Sequence, residues 1–81
     1  HPKTASALNA LAVVYLRMAK FNEATPLIER AIKIRSSALG PDHPDIIPLL
    51  ENLLSLYEQE GNYQKSNEVA ERIKSIQNRQ Q

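Results

Sequence analysis

Apolar residues recur every three or four positions along the chain, which is the period of a helix that buries one face. The first stripe consists of Ala5, Leu8, Leu11, Ala12, Tyr15 and Leu16. The second consists of Ala24, Leu27, Ile28, Ala31, Ile32 and Ile34. Similar stripes predict a third helix from Ile46 or Ile47 to Gln59 and a fourth over 64–78. The pattern therefore predicts an all-α fold of four helices.

Turn-forming residues separate these stripes. The run 40–44, Gly-Pro-Asp-His-Pro, predicts the end of the second helix, with the glycine in a left-handed conformation. Gly61 begins a turn between the third and fourth helices. Asn22 is predicted as the N-cap of the second helix, which places Pro26 in its first turn. Pro48 is likewise predicted in the first turn of the third helix.

The chain contains an internal repeat with a shift of 42 residues. Tyr15 falls on Tyr57 and Glu29 falls on Glu71 when the chain is aligned with itself. Two copies, 1–42 and 43–81, therefore fill the sequence.

The aligned copies predict a packing scheme. Small residues at Ala12, Ala24 and Ala31 would let paired helices approach closely. The surrounding space would be filled by Leu8, Leu11, Tyr15, Phe21 and Ile28.

The second helix of the second copy differs from its counterpart in polarity. The substitutions along it are Ala24 to Ser66, Thr25 to Asn67, Ile32 to Lys74 and Ala38 to Gln80. Polar groups at these positions predict the outer face of a C-terminal cap. The first helix has no such cap before it, so we expect further sequence upstream and self-association through the uncapped N-terminal face.

The repeat pattern resembles that of a known family, the tetratricopeptide repeats. The first copy offers the family's large, small and aromatic positions as Leu8, Leu11, Ala12, Tyr15, Ala24 and Ile28. The 42-residue spacing and the segment 39–45 are similar to the longer repeats of kinesin light chains. The resemblance implies a right-handed α-solenoid of two helix-turn-helix repeats, with four antiparallel helices whose first members line a concave side. It also implies a non-enzymatic module that binds a protein or peptide.

The same resemblance implies where a peptide would bind, because first-helix positions beside the core stripe contact extended peptides in this family. The candidate groove residues are Asn9, Val13, Arg17, Glu51, Asn52, Ser55 and Gln59. Asparagine side chains donate and accept at once, so Asn9 and Asn52 could hold a peptide backbone. Two alternatives remain: a polar surface that only faces solvent, and a segment that caps or oligomerises a longer array.

The two copies differ in the sign of their net charge, and the small total charge limits the classes of partner. Residues 1–42 carry six basic and three acidic side chains, whereas 43–81 carry four basic and six acidic ones. The net charge of +1 provides no broad field for nucleic acid or an anionic membrane. The opposite signs of the copies could orient a dipolar peptide.

The sequence offers no candidate catalytic, metal or cofactor site. Cysteine is absent and the chain has only two glycines, which removes thiolate chemistry and glycine-rich phosphate loops. His1 and His43 both precede proline at equivalent linker positions, where a structural role is expected. We therefore predict no enzyme activity, no metal and no cofactor, and take the cytoplasm as the expected compartment.

Overall fold

The computed structural model describes residues 2–80 and contains four α-helices in this range. They are α1 (Pro2–Arg17), α2 (Phe21–Leu39), α3 (Ile47–Gln59) and α4 (Tyr63–Arg79), and one 3₁₀ turn, Pro44–Ile46, precedes α3. The predicted all-α class is confirmed. The predicted bounds of α3 and α4 are correct to within one residue.

The helices form two hairpins that lie side by side. α1 packs on α2, α3 packs on α4, and α2 joins the hairpins by packing on α3. α1 also meets α3 directly. The Cα trace measures 36 × 29 × 15 Å, and the short dimension fits two layers of helices whose axes lie about 8–10 Å apart.

One core runs through both hairpins. Its small members, Ala5, Ala12, Ala24 and Ala31, are completely buried. Close approach of the helices is therefore possible where the sequence predicted it. Fully buried large side chains fill the remaining space, namely Ile28, Ile46, Leu50, Leu56 and Ile76.

The turn within the first hairpin and the turn within the second have the same geometry, although their sequences differ. The N–H of Lys20 donates to the carbonyl of Tyr15 at 2.8 Å, and the N–H of Asn62 donates to that of Tyr57 at 2.8 Å. The preceding residue has positive φ in both turns, at 58° in Ala19 and at 74° in Gly61. The second turn uses glycine for this conformation, whereas the first imposes it on an alanine.

The N-cap predicted for α2 is wrong. Lys20 occupies the cap position and makes no side-chain capping bond, and Asn22 lies inside the first turn. The geometry of the preceding turn determines where α2 begins. In the equivalent turn before α4, Asn62 occupies the position of Lys20, and its side chain caps α4 by accepting from the N–H of Lys65 at 3.3 Å. The earlier start makes Pro26 the sixth residue of α2, so its predicted first-turn position is also wrong.

The segment before α3 follows the sequence prediction. Gly40 has φ of 99° and its N–H donates to the carbonyl of Ser36 at 2.9 Å. His43 begins the 3₁₀ turn, because its Nδ1 accepts from the N–H of Asp45 at 3.1 Å. Pro48 lies in the first turn of α3, where a missing donor costs little. The structural role predicted for His43 is confirmed, while His1 lies outside the described residues.

Leu11 is not a core residue, in contrast to the prediction. Its side chain is 45% exposed, whereas Leu53, at the equivalent position of α3, is 7% exposed. α2 packs on α3, and it packs on a different side of α1. The apolar stripe that contains Leu53 is therefore buried, whereas the equivalent stripe that contains Leu11 remains exposed.

Ser66 is also placed differently from the prediction. It is buried and its hydroxyl donates to the carbonyl of Tyr63 at 3.0 Å, so it faces the core, as Ala24 does. Asn67, Lys74 and Gln80 are exposed as predicted.

Candidate functional site

The candidate groove residues lie on α1 and α3, the two helices that meet at the junction of the hairpins. We call this set the α1–α3 face. Asn9, Val13 and Asn52 are partly buried. The other members, Arg17, Glu51, Ser55 and Gln59, are exposed. The face therefore has a half-buried centre and an accessible polar margin.

The centre of the α1–α3 face is a side-chain hydrogen bond. Nδ2 of Asn52 donates to Oδ1 of Asn9 at 3.0 Å. Each amide has two N–H donors and one carbonyl acceptor. One bond between them leaves the amino group of Asn9 and the carbonyl of Asn52 able to pair with a peptide backbone.

The sequence offset did not predict this pairing. Asn9 aligns with Glu51 in the second copy, and Asn52 aligns with Ala10. The two asparagines therefore occupy different repeat positions. They meet because one lies on the side of α1 that faces α3 and the other on the side of α3 that faces α1.

Arg35 of α2 is a polar residue near this face that the sequence did not single out. Its Nη2 donates to the hydroxyl of Ser6 on α1 at 2.7 Å, and its Nε is buried without a hydrogen-bond partner. Arg35 follows the apolar spacing of α2, with Ala24, Ile28 and Ala31 on the same side. A basic residue at a position of α2 where the preceding residues of the same spacing are apolar is the sequence feature that could have identified Arg35.

Charges around the α1–α3 face have opposite signs on its two helices. α1 contains Lys3 and Arg17 and no acidic residue. α3 contains Glu51 and Glu58 and no basic residue. These side chains are exposed, so they act on the orientation and rate of an encounter more than on stability.

A second polar cluster joins α2 to α3. The hydroxyl of Tyr57 donates to Oε2 of Glu29 at 3.2 Å. The hydroxyl of Thr25 lies 3.0 Å from Oε1 of Glu60 and 2.9 Å from the carbonyl of Phe21, so these two acceptors share its one proton. Burial, followed by the negative charge of Glu29 and the hydrogen bond to it, raises the pKa of Tyr57 from 10.0 to about 12. The bonds to Glu29 and Glu60 join α2 to α3, and at physiological pH Tyr57 keeps the proton that it donates.

Shallow depressions lie along the second helix of each hairpin. One is lined by Arg30, Lys33, Ile34, Ser37 and Ala38 of α2. Another is lined by Glu71, Lys74, Ser75, Asn78 and Arg79 of α4. Each lies along a single helix, so neither provides the enclosed walls typical of a small-molecule site.

Neither a cluster of metal-ligating side chains nor a membrane-spanning helix is found in the part of the chain that the structure describes. Across residues 2–80, no three His, Cys, Asp or Glu side chains come together as a metal site would require. Within the same range, no helix combines the length and apolar character needed to cross a bilayer.

Two stacked helical hairpins with a polar face shared by their first helices define a helical-repeat protein. The tetratricopeptide repeat family matches residues 2–79, and the chain belongs to that family. A relative from Arabidopsis thaliana, Protein KINESIN LIGHT CHAIN-RELATED 1, is 44% identical over 39 residues. The predicted similarity to kinesin light chain repeats is therefore confirmed.

That match covers 48% of this chain and 6% of the relative, so the chain spans a small part of the relative's length. The family is a non-catalytic repeat whose members generally mediate interactions between proteins.

Proposed function

We propose that this chain is a non-enzymatic interaction module, built of repeats 1–42 and 43–81, that holds an extended peptide across the α1–α3 face. The observation that supports this proposal is the hydrogen bond between Asn52 and Asn9. It fixes both amides across the helix junction, and preorganised side chains lose less entropy when a ligand binds. Their remaining donors and acceptors match a peptide backbone without requiring a particular side-chain sequence.

The charge pattern supports a preferred direction for the peptide. Arg17 on α1 would attract an acidic residue, while Glu51 on α3 would attract a basic one. Val13, which is partly buried on α1 one turn before Arg17, offers an apolar contact for an intervening side chain. The proposed ligand is therefore an extended peptide with separated acidic and basic ends.

Selection of displayed peptides tests this proposal. A library of extended peptides is selected on the 81-residue chain, and enriched peptides are titrated against isotope-labelled protein by NMR. We expect the largest shifts at Asn9, Val13 and Asn52. Combined substitution of Asn9, Arg17 and Asn52 by alanine should weaken binding by about 100-fold, at roughly 1 kcal/mol per lost contact.

A matched variant controls for effects on the fold. Lys74→Ala with Gln77→Ala changes exposed residues of α4, far from the α1–α3 face in the helix order. It should bind as the wild type does, and circular dichroism should show equal helicity in all variants. Enriched peptides that bind the alanine triple variant with unchanged affinity would remove the α1–α3 face as the site.

A structural role in a longer array is the second candidate function, supported by two unlike outer faces. α4 presents polar residues, whereas Leu11, Val14 and Met18 of α1 are about half exposed. The first face suits the end of an array and the second suits a junction or self-association. Sedimentation over a range of concentrations measures the association, and Leu11→Asp should reduce it if this face is the contact.

A further inference from the structure

Two arginines of α4 hold the linker that joins the hairpins. Nη2 of Arg72 donates to the carbonyl of Pro41 at 3.1 Å and makes a longer hydrogen bond, 3.4 Å, to the hydroxyl of Ser36. Nη1 of Arg79 forms an ion pair with Oδ2 of Asp42 at 3.4 Å. The three partners lie at the end of α2 or in the segment that follows it. We call these contacts the linker latch.

The latch joins α4 to the first hairpin where helix packing is nearly absent. α4 packs on α3, and any packing of α4 on α2 or α1 is slight in the described range 2–80. The two arginines thus connect the last helix to the end of α2 through polar contacts alone.

Electrostatics favours the latch but keeps it weak. α2 has no basic residue in its last turn, and positive charge is favourable beside the C-terminus of a helix, so Arg72 supplies the missing cation from α4. The side chains of Arg79 and Asp42 are 64% and 44% exposed. Ion pairs at this exposure contribute little and are screened by salt. The latch can therefore open while the helices stay folded.

The internal repeat supplies a reference for Arg72. Its counterpart in the first copy is Arg30 on α2. Arg30 is exposed, and it forms no hydrogen bond or ion pair with the residues that the structure describes. Lys74 of α4 is likewise exposed and has no such partner in the same range. These two cations match the latch arginines in charge but not in contacts.

The position of the latch makes the contact between α2 and α3 a pivot. α1 and α3 form one layer of helices, and α2 and α4 form the other. The α2–α3 contact therefore lies between the α1–α3 face on one side and the latch on the other. A rotation of the second hairpin about this contact that moves α4 away from α2 also moves α3 towards α1.

We propose that the linker latch controls the width of the α1–α3 face. With the latch closed, α4 is held beside the end of α2 and the face is wide. When salt or an added charge releases Arg72 and Arg79, the second hairpin rocks about the α2–α3 contact and the face narrows. The proposal concerns the shape of this face and is independent of whether a peptide binds there.

Distances between spin labels test the proposal, since the chain has no cysteine and labels can be placed at will. One labelled pair, Lys33→Cys with Ser75→Cys, measures the distance between α2 and α4 from equivalent exposed positions. The other pair, Ala10→Cys with Ser55→Cys, measures the distance between α1 and α3 from exposed positions. Double electron–electron resonance gives both distances.

Release of the latch should move the two distances in opposite directions. With Arg72→Ala and Arg79→Ala, the α2–α4 distance should rise by about 2 Å, the scale on which packed helices shift, and the α1–α3 distance should fall. An increase in salt from about 0.1 M to 1 M shortens the Debye length from about 10 Å to 3 Å. It should produce the same changes when the latch is intact and none in the alanine variant.

Matched variants separate the latch from charge and from stability. Arg30→Ala with Lys74→Ala removes the same charge and should leave both distances unchanged. Arg79→Glu should open the latch by repelling Asp42, and the addition of Asp42→Arg should close it again with the ion pair reversed. Circular dichroism should show equal helicity in every variant.

Three outcomes would overturn the proposal. One is a pair of distances that neither salt nor the loss of Arg72 and Arg79 alters. Another is an equal change in the variant that lacks Arg30 and Lys74, because net charge would then be the cause. The third is an increase in both distances, because the hairpins would then separate rather than rock.

Discussion

The hydroxyl of Tyr57 on α3 donates a 3.2 Å hydrogen bond to Oε2 of Glu29 on α2. The ammonium group of Lys65 on α4 lies 5.6 Å from the centre of the same ring. Three helices from both hairpins thus converge on one side chain that is 6% exposed. Tyr57 is therefore a structural link between hairpins, and its ionisation would place a negative charge beside Glu29.

This link predicts a loss of stability at alkaline pH. The pKa of Tyr57 is about 12 in the folded chain against 10.0 without the fold, so the native state retains its proton between these values. The stabilisation is complete below pH 10 and is lost as the pH rises through 12. We expect about 1–2 kcal/mol, less than the full pKa difference implies, because the partner carboxylate of Glu29 is exposed and solvent screens its charge.

Comparison with Tyr57→Phe isolates this effect from the titration of lysines. Urea unfolding at pH 8 to 12 should show the difference in unfolding free energy between wild type and variant shrinking with pH. Tyr63→Phe serves as the matched control, since Tyr63 is 66% exposed. A difference for Tyr57→Phe that stays constant across this pH range would contradict the prediction.

The turn between α1 and α2 can be improved by copying the second turn. Ala19→Gly should stabilise the chain by about 0.5–1 kcal/mol, because φ of 58° is strained for alanine. Lys20→Asn should add about 1 kcal/mol by introducing the capping bond that Asn62 makes. Thermal unfolding measures both effects.

The reverse substitution supplies the control for this turn. An added Cβ at Gly61 meets nothing within 4 Å, so Gly61→Ala tests the backbone conformation alone. It should destabilise the chain by an amount close to the gain from Ala19→Gly. Stabilisation by both substitutions would show that φ does not determine the effect.

Equivalent leucines in the two hairpins should differ in their contribution to stability. Leu53→Ala removes a side chain that is 7% exposed and should cost about 2–4 kcal/mol. Leu11→Ala removes one that is 45% exposed and should cost less than about 1 kcal/mol. Urea unfolding distinguishes them, and equal costs would mean that Leu11 is covered in solution.

The Asn9–Asn52 pair predicts energetic coupling between the hairpins. A double-mutant cycle with Asn9→Ala and Asn52→Ala should give about 0.5–1.5 kcal/mol of coupling in unfolding free energy. The matched cycle uses Asn9→Ala and Ser55→Ala, for which additive effects are expected. Zero coupling in the first cycle would show that the bond seen between Asn52 and Asn9 contributes nothing to stability.

Sequence periodicity predicted the helices and most of the core because those features depend on local spacing. Ala12, Ala24 and Ile28 were predicted inside and are completely buried. Pro44 and Pro48 restrict the start of α3 wherever the rest of the chain lies. The burial of Leu11 failed as a prediction because it depends on a neighbouring helix rather than on spacing along α1.

The sequence predicted which residues form the candidate surface, but it did not predict which of them pair by hydrogen bonds. The resemblance to tetratricopeptide repeats predicted that Asn9 and Asn52 belong to one surface, and the structure joins them by a hydrogen bond. Sequence alignment within the chain pairs each of them with a different residue. Only the stagger of α1 against α3 brings these two side chains together.

The sequence by itself thus determined the order of the helices, the two hairpins and the repeat pattern of the family. These features depend on the spacing of apolar residues and on prolines and glycines, whose effects extend over only a few residues. Tertiary structure decided which side of each helix meets another helix. It placed Tyr57 against Glu29, buried Ser66 and left Met18 half exposed. Those outcomes depend on the packing of helices that are distant in sequence, which the period of a single helix does not specify.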